Sequence, residues 1–209
     1  MPRTRSSPAR PHAMADTARR RIVTGARRHF LAQGFRGVTM DDLATELGMS
    51  KKTLYAHFTS KLALVEAVLR EKLEAVEADL STISSDTSAD FLDLLRELLA
   101  CVARHSSEIR PPFVRDMRRE SPATFTVVEE RRRLLIQQHF GKLLARGRKS
   151  GSIRRDISNE LIVEVLLGAM HAIMNPSKME ELGLTPKSGY AAIISIVLEG
   201  VLKGKEGSR

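Results

Sequence analysis

The stretch Thr39-Met40-Asp41-Asp42-Leu43-Ala44-Thr45-Glu46-Leu47-Gly48-Met49-Ser50-Lys51-Lys52-Thr53-Leu54-Tyr55-Ala56-His57-Phe58 decides how this chain is read. Thr39 stands where a helix N-cap belongs, and Asp41 and Asp42 fall in the first turn, where the helix dipole favours acids. Leu43, Ala44 and Leu47 form one inner face, and Gly48 supplies the positive φ that a tight turn needs. Ser50 caps a second short helix, in which Leu54 and Phe58 are spaced i, i+4. Two short helices across a glycine turn make a helix-turn-helix over about residues 39–58. Ala44 is small where the two helices cross, and Leu43, Leu47, Met49 and Leu54 are placed to join them.

With Leu54 and Phe58 turned inward, Lys52, Thr53 and Ala56 point outward, flanked by Lys51, Tyr55 and His57. That face is basic and rich in hydrogen-bonding groups, which suits a helix laid in a DNA major groove. On spacing alone it also fits a solvated face in an ordinary helical bundle.

Upstream, Ile22, Val23, Ala26, Phe30 and Leu31 form a helical stripe that Gly34 ends. Residues 1–15 are rich in Pro, Arg and Ser and read as a disordered basic arm. Downstream, Thr59–Ser60 caps an amphipathic helix from about Lys61 to Leu80, and residues 81–88 read as a polar loop. Phe91–Arg104 is apolar nearly all round, as in a buried central helix. Further helices are read around Phe113–Glu120, Phe125–Lys149, Ile157–Met174 and, after the cap-like Thr185–Pro186, to Lys203. The predicted class is all-α with about nine helices: residues 16–62 a three-helix unit, residues 63–209 a larger helical body.

The chain has 209 residues and a net charge of +9. Residues 1–61 carry 12 Lys and Arg against 4 Asp and Glu, so +8 of the charge lies in the first third. A basic module joined to a nearly neutral body is the pattern of a nucleic-acid reader with a second function. No apolar run is long enough for a membrane span, and the N-terminus lacks the apolar stretch of a secretory signal. The single Cys101 suits a reducing, cytoplasmic setting. The six His show no metal-ligand spacing, Gly147-Arg148-Lys149-Ser150 is only a fragment of a phosphate loop, and Cys101 has no evident base. Neither an enzyme nor a cofactor is expected.

The segment from Ile22 to Leu69 resembles the N-terminal domain of TetR/AcrR-family transcriptional regulators. The resemblance rests on Gly34-Phe35, Val38-Thr39-Met40-Asp41-Asp42-Leu43-Ala44, Leu47-Gly48-Met49-Ser50-Lys51, Thr53-Leu54-Tyr55, His57-Phe58, Ser60-Lys61 and Ala67-Val68-Leu69. It implies a homodimer that binds a double-stranded DNA operator and responds to a small-molecule effector, most often as a repressor. By motif position it implies phosphate contacts from Thr39 and Lys61, base-edge contacts from Lys51, Lys52 and Thr53, and backbone contacts from Tyr55 and His57. Ala56 stands where a second aromatic is common, Lys52 where Gly is common and Leu62 where an acid is usual, so the operator sequence does not carry over. Tyr55 also fits a packing role, His57 a structural hydrogen bond, and Lys51 and Lys52 a nonspecific attraction.

The last two helices are apolar beyond what one body of this size covers. Gly168, Ala169 and Ala172, with Ala191, Ala192 and Ser195, permit close approach, so these helices are expected to pair with their copies in the dimer. Leu95, Leu99, Phe113, Met117, Phe125, Leu166, Met170 and Met174 are the candidate lining of a cavity for a lipophilic effector. The same spacing equally serves a plain core. Arg104, His105, Arg115, Arg118 and His171 could meet an acidic or polar group of the guest, but solvated faces explain most of them equally well. The other reading of the whole chain is an architectural DNA binder that answers to no effector.

Overall fold

A computed structural model describes residues 11–201. The helices are α1 (Pro11–Gln33), α2 (Met40–Glu46), α3 (Lys51–His57), α4 (Lys61–Ser85), α5 (Phe91–Ser107), α6 (Pro111–Glu120), α7 (Pro122–Lys149), α8 (Asn159–Ile173), α9 (Pro176–Glu181) and α10 (Pro186–Val201). All ten elements among the described residues are helical, one more than the sequence suggests. The addition is α9. Asn175–Pro176 reads as a stop, yet Asn175 accepts the Lys178 amide and Pro176 takes the first helical position, so the stop also starts a short turn. The loop expected from residue 81 starts late, because α4 runs on to Ser85. Most of the expected basic arm, residues 1–10, lies outside the described residues, and α1 already begins at Pro11.

The caps account for the boundaries. Thr39 accepts the Asp42 amide at 3.1 Å while the Asp42 carboxylate accepts the Thr39 amide at 3.0 Å, a reciprocal capping box. Ser50, Ser60 and Ser158 each accept the amide three residues on, at 3.1 Å. Thr185 caps α10 in the same way.

Two separate apolar cores are formed. One gathers Ile22, Phe30, Phe35, Leu43, Leu54 and Phe58 from α1–α3 and the loops beside them, Leu64, Val65, Ala67, Val68 and Leu69 from α4, and Phe113 and Met117 from α6. The other gathers the far half of α4, from Val76 on, with α5, α7, α8 and α10. Helix α4 therefore crosses from one core to the other. The turn after α1 is held against the body. Gly34 adopts φ +83°, and the amides of Phe35 and Arg36 donate to one Asp116 oxygen of α6 at 2.8 and 2.9 Å. The Arg110 amide donates to the Leu31 carbonyl at 2.8 Å, and the Phe35 ring meets Phe113 edge-on at 5.9 Å.

At Gly34 a Cβ would lie 2.4 Å from the Asp116 oxygen, whereas at Gly48 (φ +62°) nothing lies within 4 Å of one. Gly48→Ala should cost about 1–2 kcal/mol for the left-handed backbone alone. Gly34→Ala should cost more, because the added methyl also pushes on the Asp116 clasp. Urea unfolding of the two variants checks that order.

Candidate nucleic-acid interface

The second helix of the motif is oriented by its apolar residues. Leu54 and Phe58 are fully buried, while Lys51, Lys52, Thr53, Tyr55 and Ala56 are exposed and His57 is half-buried. Leu43 and Ala44 are buried under the crossing, with Leu47 and Met49 partly buried beside them. Arg21 of α1 donates to the Leu47 carbonyl at 2.9 Å, and His29 meets Glu46 at 2.6 Å, so α1 grips the end of α2.

All seven residues singled out for DNA reach solvent, five of them on α3, but they are not in one chemical state. Lys52 makes no ion pair among the described residues. Lys51 pairs with Asp41 of α2, which neutralises part of its charge. The Thr53 hydroxyl lies 2.9 Å from that of Ser50, and Tyr55 keeps 47% of its surface exposed. The His57 carbonyl accepts from Arg19 at 3.4 Å, and that guanidinium also stacks over the Phe58 ring at 4.4 Å. Thr39 is exposed but occupied as a cap. The Lys61 ammonium donates to the Val38 and Arg36 carbonyls at 2.9 and 3.3 Å, so it braces the loop between α1 and α2. That bracing could not be read from the sequence, since it depends on how α4 meets a loop 23 residues earlier.

Behind this face lies a network that pattern reading missed. Lys72 of α4 is only 3% exposed and sits between the two apolar cores. Its ammonium lies 2.7 Å from Glu108 and 2.9 Å from His105 Nδ1. Glu108 also takes Arg27 of α1 at 2.5 Å. His105 Nε2 lies 2.9 Å from Asp79, whose same oxygen accepts Arg104 at 3.3 Å. One proton arrangement satisfies every contact: Lys72 donates to Nδ1, and neutral His105 donates from Nε2. Burial pushes the Lys72 and His105 pKa values down, against the opposing pull of Glu108 on Lys72 and of Asp79 on His105. For Glu108, burial is outweighed by Lys72 and Arg27, which hold its carboxyl below the usual range. Asp79, Cys101 and His105 offer ligand atoms within 4.8 Å of one another. Both His105 nitrogens are already engaged, and burial pushes the Cys101 thiol up, so the cluster reads as part of this network and not as a metal centre.

The eight residues expected to line one cavity are not brought together. Leu95, Leu99 and Leu166 line a closed apolar seam with about 10 Å³ of free space, room for at most one water. Met170 is in the same core and Met174 packs against it, but neither lines the seam. Phe113 and Met117 are buried in the other core, with Phe125 packed beside them under Arg118. Docking of α6 onto α1 put them there, which their helical period did not reveal. Open space beside this core is instead found in a groove of about 630 Å³ between α5 and α10.

Residues 22–68 match the family model for bacterial regulatory proteins of the tetR family. The stretch that holds α2 and α3 is therefore of the tetR type. The chain is 24% identical over 191 residues to the HTH-type transcriptional repressor DhaR of Mycobacterium sp. (strain GP1), covering 90% of this chain and 94% of that one. It is 23% identical over 189 residues to the uncharacterized HTH-type transcriptional regulator YvaF of Bacillus subtilis (strain 168), covering 90% and 97%. Its fold is shared with the SmeT–triclosan complex at a TM-score of 0.68 and 16% identity, covering 90% and 93%. The family and these relatives are regulators of transcription, not enzymes. No described helix is long and apolar enough to cross a membrane.

The neutral state of two buried histidines sets a pH dependence. The His105 and His139 pKa values both lie below the ordinary 6.5, because burial disfavours the charged ring; Ser84, Lys142 and Glu77 surround His139. Such a base binds fewer protons folded than unfolded, so its stabilisation is full above pH 6.5 and is lost as pH falls through the folded value. Asp79 and Glu108, also lowered, lose theirs only below their ordinary 3.8 and 4.5. The thermal midpoint should therefore be flat above neutrality and start to fall below pH 6.5. His105→Gln, whose amide can accept from Lys72 and donate to Asp79, should lessen that first fall in thermal scans and leave the share of His139.

Proposed function

We propose that this chain is a repressor that binds a palindromic operator as a homodimer in the cytoplasm and is released by a small lipophilic effector. The observation that carries the DNA half is the face of α3. Burial of Leu54 and Phe58 turns Lys52, Thr53 and Tyr55 to solvent together, on a helix whose far side is anchored in a core. In the proposed complex, Lys51, Lys52 and Thr53 meet base edges, Tyr55 and His57 the sugar–phosphate backbone, and Thr39 and Lys61 phosphates at either side. Asp41 holds Lys51 back in the free protein, which makes Lys52 the leading cation of the reading face.

Pairing through the last two helices is supported by an uncovered apolar stripe. On α8, Leu161, Val165, Gly168 and Ala172 are exposed at helical spacing; on α10, Ala192 and Ile196 are exposed, Ile196 by 71%. A two-fold axis through this stripe would cover it and present two α3 helices to successive major grooves. The effector half is supported by the groove between α5 and α10, and by the triclosan complex of SmeT on the same fold. The closed seam favours the other reading, a DNA binder that answers to no effector. Thermal-shift screening separates them, since an effector both stabilises the free protein and releases DNA.

An operator selected from random duplexes supplies the test. Lys52→Ala should weaken binding to all duplexes and lower the slope of log affinity against log salt by about one. Thr53→Ala should change base preference at its position by about 1–3 kcal/mol while leaving the salt slope intact. Light scattering should give twice the 23.2 kDa chain mass, and Val165→Asp with Ile196→Asp should return the single mass and abolish operator binding. A wild-type chain of single mass would overturn the dimer.

A further inference from the structure

The groove between α5 and α10 is walled by apolar and small residues of both helices, Leu99, Ala100, Ala103 and Ile194 among them, and carries an arginine toward each end, Arg96 and Arg104. Leu99 and Ile194 also line the closed apolar seam, so the groove floor continues into the core. The two ends differ. Arg96 pairs with Asp93, and the nearby Ser195 donates to Glu199, which leaves that end balanced by acids. At the other end Arg104 is joined by Ser107 and Tyr190. Its partner Asp79 uses one oxygen for both Arg104, at 3.3 Å, and His105, at 2.9 Å. Arg104 can thus leave without orphaning the carboxylate. Exposed ion pairs of this kind contribute little, so the guanidinium is available to a guest carboxylate, which it can hold bidentately.

We propose that this groove is the effector site and takes an amphipathic monoanion, its carboxylate on Arg104 and its apolar body over Leu99, Ala103 and Ile194. The proposal rests on the reading of the chain as an effector-released regulator. It also supplies the route of release. When Arg104 turns to the guest, Asp79 Oδ2 is left to His105 alone, and the His105 bond to Lys72 is polarised in turn. Lys72 is shared with Glu108, and Glu108 is the carboxylate that holds Arg27 of α1. Hydrogen bonds in such a chain strengthen or weaken one another, so the groove and the DNA-binding unit are joined by contiguous polar contacts.

Decanoate and decanol, equal in chain length and different in charge, are the probes. Calorimetry on the full chain should show decanoate binding at least about ten-fold tighter than decanol, a difference of about 1.4 kcal/mol. Arg104→Gln should erase that preference while leaving decanol binding unchanged. Ala100→Trp, placed on the exposed groove floor, should remove both, and so tests the site if Arg104→Gln does not fold. Decanoate should release the selected operator from the wild type but not from Arg104→Gln. Binding that is absent in the wild type, or equal in Arg104→Gln and the wild type, overturns the groove assignment, whatever the DNA result. Failure to select any operator overturns the regulator reading instead, and the calorimetric arm then still decides whether the groove takes the anion.

Discussion

The Lys72 ammonium is the constraint around which the rest of the molecule is arranged. It lies on α4 between Leu69 of one core and Val76 of the other, at a place where water cannot reach it. An unpaired charge there would cost several kcal/mol, and removing one partner of such a buried pair typically costs about 3–5 kcal/mol. Glu108 must therefore stand at the end of α5, and His105 one turn earlier must stay neutral. Because Glu108 also takes Arg27, the same requirement fixes α1 against α4 and α5. The polar network is thus the hinge point of two apolar cores as well as their seal.

A second clasp holds the end of α1, one turn beyond Arg27. Asp116 of α6 accepts two successive amides from the turn after α1, and Arg110 donates its amide to Leu31. Lys61 ties the carbonyls of that same loop to the start of α4. The loop leads directly into the Thr39 cap of α2, so the position of α3 is referred to the body at several points. A helix that must fit a groove of the double helix is placed by such rigid contacts more than by its own seven residues. The closed seam in the body and the open groove beside it share Leu99 and Ile194, and Arg104 puts that groove next to the polar network.

Sequence signals hold where the physics is local. The caps at Thr39, Ser50, Ser60 and Thr185 are satisfied by amides within three residues, and Gly34 and Gly48 take the positive φ that their turns require. The core face of α3 follows from i, i+4 spacing alone. The exposed stripe of α8 and α10 was legible as an excess of apolar surface. The cavity was not. Phe113, Met117 and Phe125 have the same spacing as Leu95 and Leu99, and nothing in a helical period says which core a face will join. The sequence names no partner for Arg104 or His105, whereas the fold sets His105 between Asp79 and Lys72 and brings Arg104 to the same Asp79 oxygen.

The sequence by itself determined every described helix but α9, the caps at Thr39, Ser50, Ser60 and Thr185, the motif and the outward face of α3, because each depends on neighbours within about one or two turns. Only the tertiary structure decided the partners of Lys72, the bracing roles of Lys61 and Asp116, and the division of the apolar residues between two cores. Those pairings join residues far apart in the chain, such as Arg27 and Glu108 or Phe35 and Asp116. They exist because burying a charge or an amide requires a partner, and close packing of helices decides which partner is at hand.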